Sequence, residues 1–165
     1  ATGQMVLSST AANNANIVYW NNTEPTSSVF SLGTSNNTNQ SGNSHVAYVF
    51  TDIDGFSKAG SYVGNGNADG TFVFTGFRPA WLIIKRNGNH EGLHLDAIRS
   101  VSNPADDGLE TGNNNAESAD EAVFAVDLLS NGFKIRNGDN TTNNGSYNYV
   151  YYAFAEFPFK FTNAR

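Results

Sequence analysis

Clusters of asparagine and glycine at 64–70, 87–89 and 137–145 punctuate the chain, and no run of ten residues in it reads as a helix. Both residues tolerate left-handed backbone angles at low cost, so these clusters mark where the chain turns. Short runs rich in aromatic and β-branched residues lie between them. Residues 71–77 and 93–98 alternate, 81–85 is a brief apolar run after Pro79, and 123–129 and 132–136 flank the turn-forming pair Ser130 and Asn131. Residues 147–156 form a longer run with aromatics at both odd and even positions. The acidic, Asn-rich stretch 104–122 reads as a long loop with at most one helical turn. Several short strands joined by such turns predict an all-β domain, a β-sandwich or jelly roll, with a concanavalin-like arrangement among the options.

The chain has 165 residues, enough for one domain or one and a half small units. Charged residues make up 15% of it, well under the usual quarter, and Asn, Gly, Ser and Thr take their place. The net charge of -6 offers no attraction to phosphate backbones, which argues against nucleic acid as a partner. With no cysteine there is neither a disulfide framework nor thiolate chemistry. No stretch approaches the roughly 18 apolar residues of a membrane span, so membrane insertion is not expected. The sequence starts at Ala1 without a basic-then-apolar leader, which reads as a processed chain or a piece of a longer one.

An internal repeat is the strongest organisational signal. Residues 29–33, an Asn-rich stretch to Gly42, and residues 46–52 match residues 132–136, a second Asn-rich stretch to Gly145, and residues 150–156. Phe30 aligns with Phe133, Tyr48 with Tyr152, Phe50 with Phe154 and Asp52 with Glu156, with one residue inserted. Each copy reads as strand, polar hairpin loop and aromatic-rich strand. The division this implies is residues 1–57 as the back half of one unit and 58–165 as a complete unit. A half unit needs a surface to cover its core face, from the following unit or from another subunit.

Chemistry-bearing motifs are few. His90, Glu91 and His94 match H-E-x-x-H, which binds zinc only when a helix brings both histidines to one face. Asn87, Gly88 and Gly92 around it and the alternation from Leu93 instead predict a hairpin tip followed by a strand. The only other histidine, His45, is far along the chain. Asn65, Asn67 and Asp69 with Gly70 have the spacing of the first half of a calcium loop, but Gly76 stands where its closing Glu belongs. A Gly-rich turn is the plainer reading, and Asp52, Asp54 and Gly55 make a weaker version of the same pattern. Trp20, Trp81, Tyr147, Tyr149 and Tyr151 are candidate platforms for a sugar ring, with core packing as the competing role. On one strand Tyr147, Tyr149 and Tyr151 share a face and Tyr152 and Phe154 share the other, so one set is core. No catalytic residue, nucleophile–base set or phosphate-cradling loop is evident, and no cofactor is implied.

Residues 56–70, followed by 72–85, resemble a domain common in tailed bacteriophages, especially marine ones. Residues 127–134 and 151–160 are similar to its closing half. About 110 residues are covered, and the first 55 resemble the end of a preceding copy. The resemblance implies a structural or tail-fibre-like component on the virion surface, or otherwise extracellular. It would assemble with other copies of itself, a trimer being usual for fibres, and with other virion proteins, with host surface glycans as a further expected contact. It implies no catalytic residues. Where the family commonly has an aromatic pair, this chain has Leu93, His94 and Leu95. A carbohydrate-binding lectin module of a secreted or cell-surface protein is the alternative.

Overall fold

A computed structural model describes residues 3–157. Two short strands, β1 (Gly3–Gln4) and β2 (Asn14–Ala15), pair with each other, and two single helical turns follow, α1 (Ile17–Trp20) and α2 (Asn36–Asn39). The main body comprises β3 (Ser57–Val63), β4 (Phe72–Phe74), β5 (Pro79–Arg86), β6 (Gly92–Asp96), β7 (Asp107–Glu110), β8 (Ser118–Ala119), a turn α3 (Glu121–Phe124), β9 (Val126–Leu129), β10 (Gly132–Ile135) and β11 (Asn148–Ala155). A six-stranded sheet has the order β3-β11-β5-β6-β7-β8 and a three-stranded sheet the order β4-β10-β9. Every pairing is antiparallel. This is the all-β sandwich that the short alternating runs predict.

Alternation decides which residues form the core. Leu82 and Ile84 of β5, Leu93 and Leu95 of β6, and Tyr149, Tyr151 and Ala153 of β11 face inward from the large sheet. They meet Val73, Leu128, Phe133 and Ile135 from the small one. Each fully buried aliphatic side chain stabilises the fold by roughly 1.5–3 kcal/mol. Tyr62 stacks on Tyr149 with ring centroids 5.1 Å apart, and Phe133 packs edge-on against both Tyr62 and Tyr151.

The structure corrects three expectations and adds a strand that the sequence pattern does not mark. Residues 132–136 and 150–156 are not a hairpin: β10 and β11 lie in different sheets, so the Asn-rich stretch between them crosses the sandwich. Residues 29–33 and 46–52 form no ladder strand, because a strand requires a neighbour and none among the described residues is aligned with them. The stretch 104–122 contains β7 and β8, and 123–129 begins in a helical turn before it becomes β9. Finally, β3 carries little apolar pattern, yet it pairs with β11 over seven residues. Gly60 makes that pairing possible, since a Cβ there would lie 2.7 Å from the Tyr151 hydroxyl.

Polar side chains lock the crossover. The fully buried Asn143 amide donates to the Asn65 side chain at 2.8 Å and to the carbonyls of Asn67 and Asn137 at 2.8 and 2.7 Å. Its own oxygen accepts from the Asn65 N–H at 3.0 Å. Tyr149 Oη donates to the Asn140 carbonyl and accepts from the Asn144 N–H, and Tyr62 Oη donates to the Thr142 carbonyl. Asn143→Ala leaves several of these buried groups unpaired, so urea titration is expected to show a loss of roughly 2–4 kcal/mol in stability.

Candidate functional site

The outer face of the six-stranded sheet carries the side chains that alternate with the core set. Tyr152 lies opposite Ile83 and Phe154 opposite Trp81, while Trp81 and Ile83 in turn face Asp96 and His94. The Tyr152 and Phe154 rings are 4.8 Å apart, Trp81 lies 5.7 Å from Phe154, and His94 lies 5.1 Å from Trp81. Phe50 and Phe56, from the segment leading into β3, add to this row: Phe50 contacts Tyr152 and Phe154, and Phe56 contacts Phe154 edge-on.

A charged group borders the Trp81 end. Arg99 Nε donates to Asp96 Oδ2 at 2.6 Å and Arg99 Nη1 to Glu117 Oε2 at 2.7 Å. Arg99 Nη2 lies 3.0 Å from His94 Nδ1. A guanidinium can only donate, so Nδ1 must accept and a neutral His94 carries its proton on Nε2. Burial, and after it the Arg99 charge, hold the His94 pKa below its usual value near 6.5. The unfolded chain therefore takes up a proton at His94 first as the pH falls. Stability from this residue is full above about pH 6.5 and declines as the pH drops toward the folded-state pKa. His94→Gln is expected to flatten that decline in thermal melts run from about pH 7 to pH 5.

The second feature is the segment before β3. Val46, Tyr48, Val49 and Phe50 are 80%, 82%, 74% and 62% exposed. Four large apolar side chains in five residues, strand-prone and unpaired, are unusual on a monomer's surface. Asp52 closes the segment by accepting from the Ala59 N–H at 2.8 Å and pairing with Lys58 at 2.5 Å. The first of these bonds, then the second, lowers its pKa.

The residues singled out in the sequence are scattered over these features. Tyr149 and Tyr151 are core, which removes them as sugar platforms: the face they share packs on the small sheet. Tyr147 precedes β11 and stays partly exposed, with the Arg86 guanidinium 4.2 Å from its ring centroid. Trp20 sits in α1 and donates its indole N–H to the Gly3 carbonyl at 3.0 Å. Asn65 and Asn67 direct their oxygens at the backbone N–H groups of Asn67 and Asp69, and Asp69 pairs with Lys134 at 2.5 Å. Each of these three oxygens thus points at a different donor, as in a turn. His90 and Glu91 lie in a turn and His94 in β6, so the H-E-x-x-H spacing falls on extended chain. Among the described residues no three or more His, Asp or Glu side chains are grouped to hold a metal ion. Pairing of Trp81 with His94 escapes sequence reasoning because it arises from cross-strand register.

The fold and these surfaces define an all-β sandwich with an aromatic outer face and an uncovered apolar segment. The chain belongs to the family described as a domain of unknown function, DUF7483, whose model matches residues 1–158 and runs through the junction at 57/58. No curated protein and no solved structure matches.

Proposed function

We propose that this domain is a structural assembly module of a bacteriophage particle, displayed on the virion surface and associating with further copies of itself. The observation that carries the proposal is the exposed apolar segment 46–50, which a second copy would cover. The resemblance to tailed-phage structural domains supplies the particle. Repetition on a symmetric particle suits it, because weak contacts repeated many times sum to stable attachment. The proposal assigns no catalytic step. Light scattering over a concentration series is expected to show a dimer, trimer or larger species. Val49→Asp, placed on an exposed site, is expected to leave the melting temperature of the monomer unchanged and to weaken association by at least about tenfold. A chain that stays monomeric at every concentration rejects the proposal.

A second reading, carbohydrate contact, is favoured by one observation: a partly exposed Trp81 lies opposite Asp96, whose carboxylate holds Arg99, which in turn holds Glu117. An indole suits the apolar face of a pyranose and the charged rim suits its hydroxyls. One guanidinium shared by two carboxylates leaves the rim acidic, which suits a neutral sugar over an acidic one. On a glycan array Trp81→Ala is expected to abolish any signal that the native chain gives, and a signal that survives it assigns the sugar to another surface.

A further inference from the structure

The six-stranded sheet ends in an edge that is only partly closed. β3 pairs with β11 on one side and is the terminal strand on the other. At its start Ile53 and Ser57 exchange both backbone hydrogen bonds at 3.0 Å, so the Ser57 N–H and C=O point away from β11. Strand periodicity then aims the backbone groups of Ala59, Ser61 and Val63 outward too, while those of 58, 60 and 62 serve β11. Asp52 takes the Ala59 N–H, and the Thr71 hydroxyl donates to the Val63 carbonyl at 2.8 Å. Among the described residues the Ala59 carbonyl, both groups of Ser61 and the Val63 N–H have no backbone partner and form an open row along β3, where Ala59, Ser61 and Val63 are exposed.

The same chain holds a five-residue segment, 46–50, that has strand composition but no ladder. Its sequence follows that of 150–154 in β11, the strand that already pairs with the other side of β3. Its own copy of the edge does not take it, because Phe50 seats on Tyr152 and Phe154 and carries the segment over the sheet face. The charged pair of Asp52 and Lys58 closes the edge toward Ser57, which limits an incoming strand to about the length of 59–63.

The geometry points to strand addition between copies: residues 46–50 of one chain pair along the open edge of β3, at 59–63, in a second chain. This rests on the assembly reading and names its contact. Backbone hydrogen bonds supply the docking, and the apolar side chains of 46–50 are covered as it forms. A contact between two parts of one chain is satisfied only by another copy, either reciprocally in a two-fold pair or head-to-tail in a ring.

The chain has no cysteine, so introduced pairs report without background. Full-length Tyr48→Cys is mixed in turn with Ala59→Cys, Ser61→Cys and Val63→Cys, with Phe74→Cys on β4 as the control, and disulfide-linked dimers are read on a non-reducing gel. Cross-linking to at least one β3 position and not to the control is expected. In parallel, Ser61→Pro removes an outward N–H and spares the ladder to β11, a placement an edge strand accepts. It is expected to weaken association about tenfold in light scattering, with an unchanged circular dichroism spectrum. An oligomer that cross-links at none of the three β3 positions, or that Ser61→Pro leaves intact, overturns this docking mode and leaves the assembly reading standing. A chain that remains monomeric overturns both.

Discussion

The period-two alternation of β11 is the constraint on which the rest of the molecule depends. One strand of eight residues, flanked on both sides by ladders, sends Tyr149, Tyr151 and Ala153 into the core and Tyr152 and Phe154 to the outer face. A slip of one residue would exchange these sets. Two hydroxyls fix the register. Tyr149 reaches the Asn-rich crossover through its phenol, and Tyr62 does so from the neighbouring strand. Burial raises the pKa of both phenols, Tyr62 most, so they remain neutral donors at ordinary pH. The inner face is thereby an aromatic core in which the Tyr62 and Tyr149 hydroxyls are satisfied at the crossover. The outer face inherits the rings left over, and they form the surface on which Phe50, Trp81 and His94 gather.

Much of this was legible in the residues. Turn clusters and alternating runs place most strands of the sandwich, and the turn at Ser130 and Asn131 joins β9 to β10 as its chemistry predicts. Choosing between the two aromatic faces of β11 was beyond the sequence, because both are equally apolar and the choice rests on which one meets the small sheet. β3 was hidden for a related reason. Its residues Ser57, Lys58, Ala59, Gly60 and Ser61 are small or polar, and its strand character comes from the partner that needs Gly60 to be bare. The similarity of 46–52 to 150–156 was visible but misleading about local structure: strand composition makes a strand only where an edge is aligned to receive it.

The site followed the same division. Motif spacing located His94 for a reason the fold does not use, since a zinc pattern requires a helix and the residues lie on a turn and a strand. What matters at His94 is lateral: Trp81 across the ladder, Asp96 at the strand end and Arg99 just beyond it. Trp81 is thirteen residues from His94 in sequence, and the group is joined only by register and by the turn after β6. The calcium-like spacing at Asn65, Asn67 and Asp69 is likewise real as a turn, with each oxygen engaged by the protein's own donors.

The Asn143 amide bears on the surroundings in which such a domain can work. Loops crowded with carbonyl oxygens are often gathered by a bound cation, which departs when its concentration falls. Here the gathering group is a side chain attached to the backbone of one of the loops it holds. A tethered donor has no dissociation equilibrium with the solvent, so dilution or a chelator leaves this clamp in place. The clamp on the crossover that sets the two sheets together is thus carried by the chain itself.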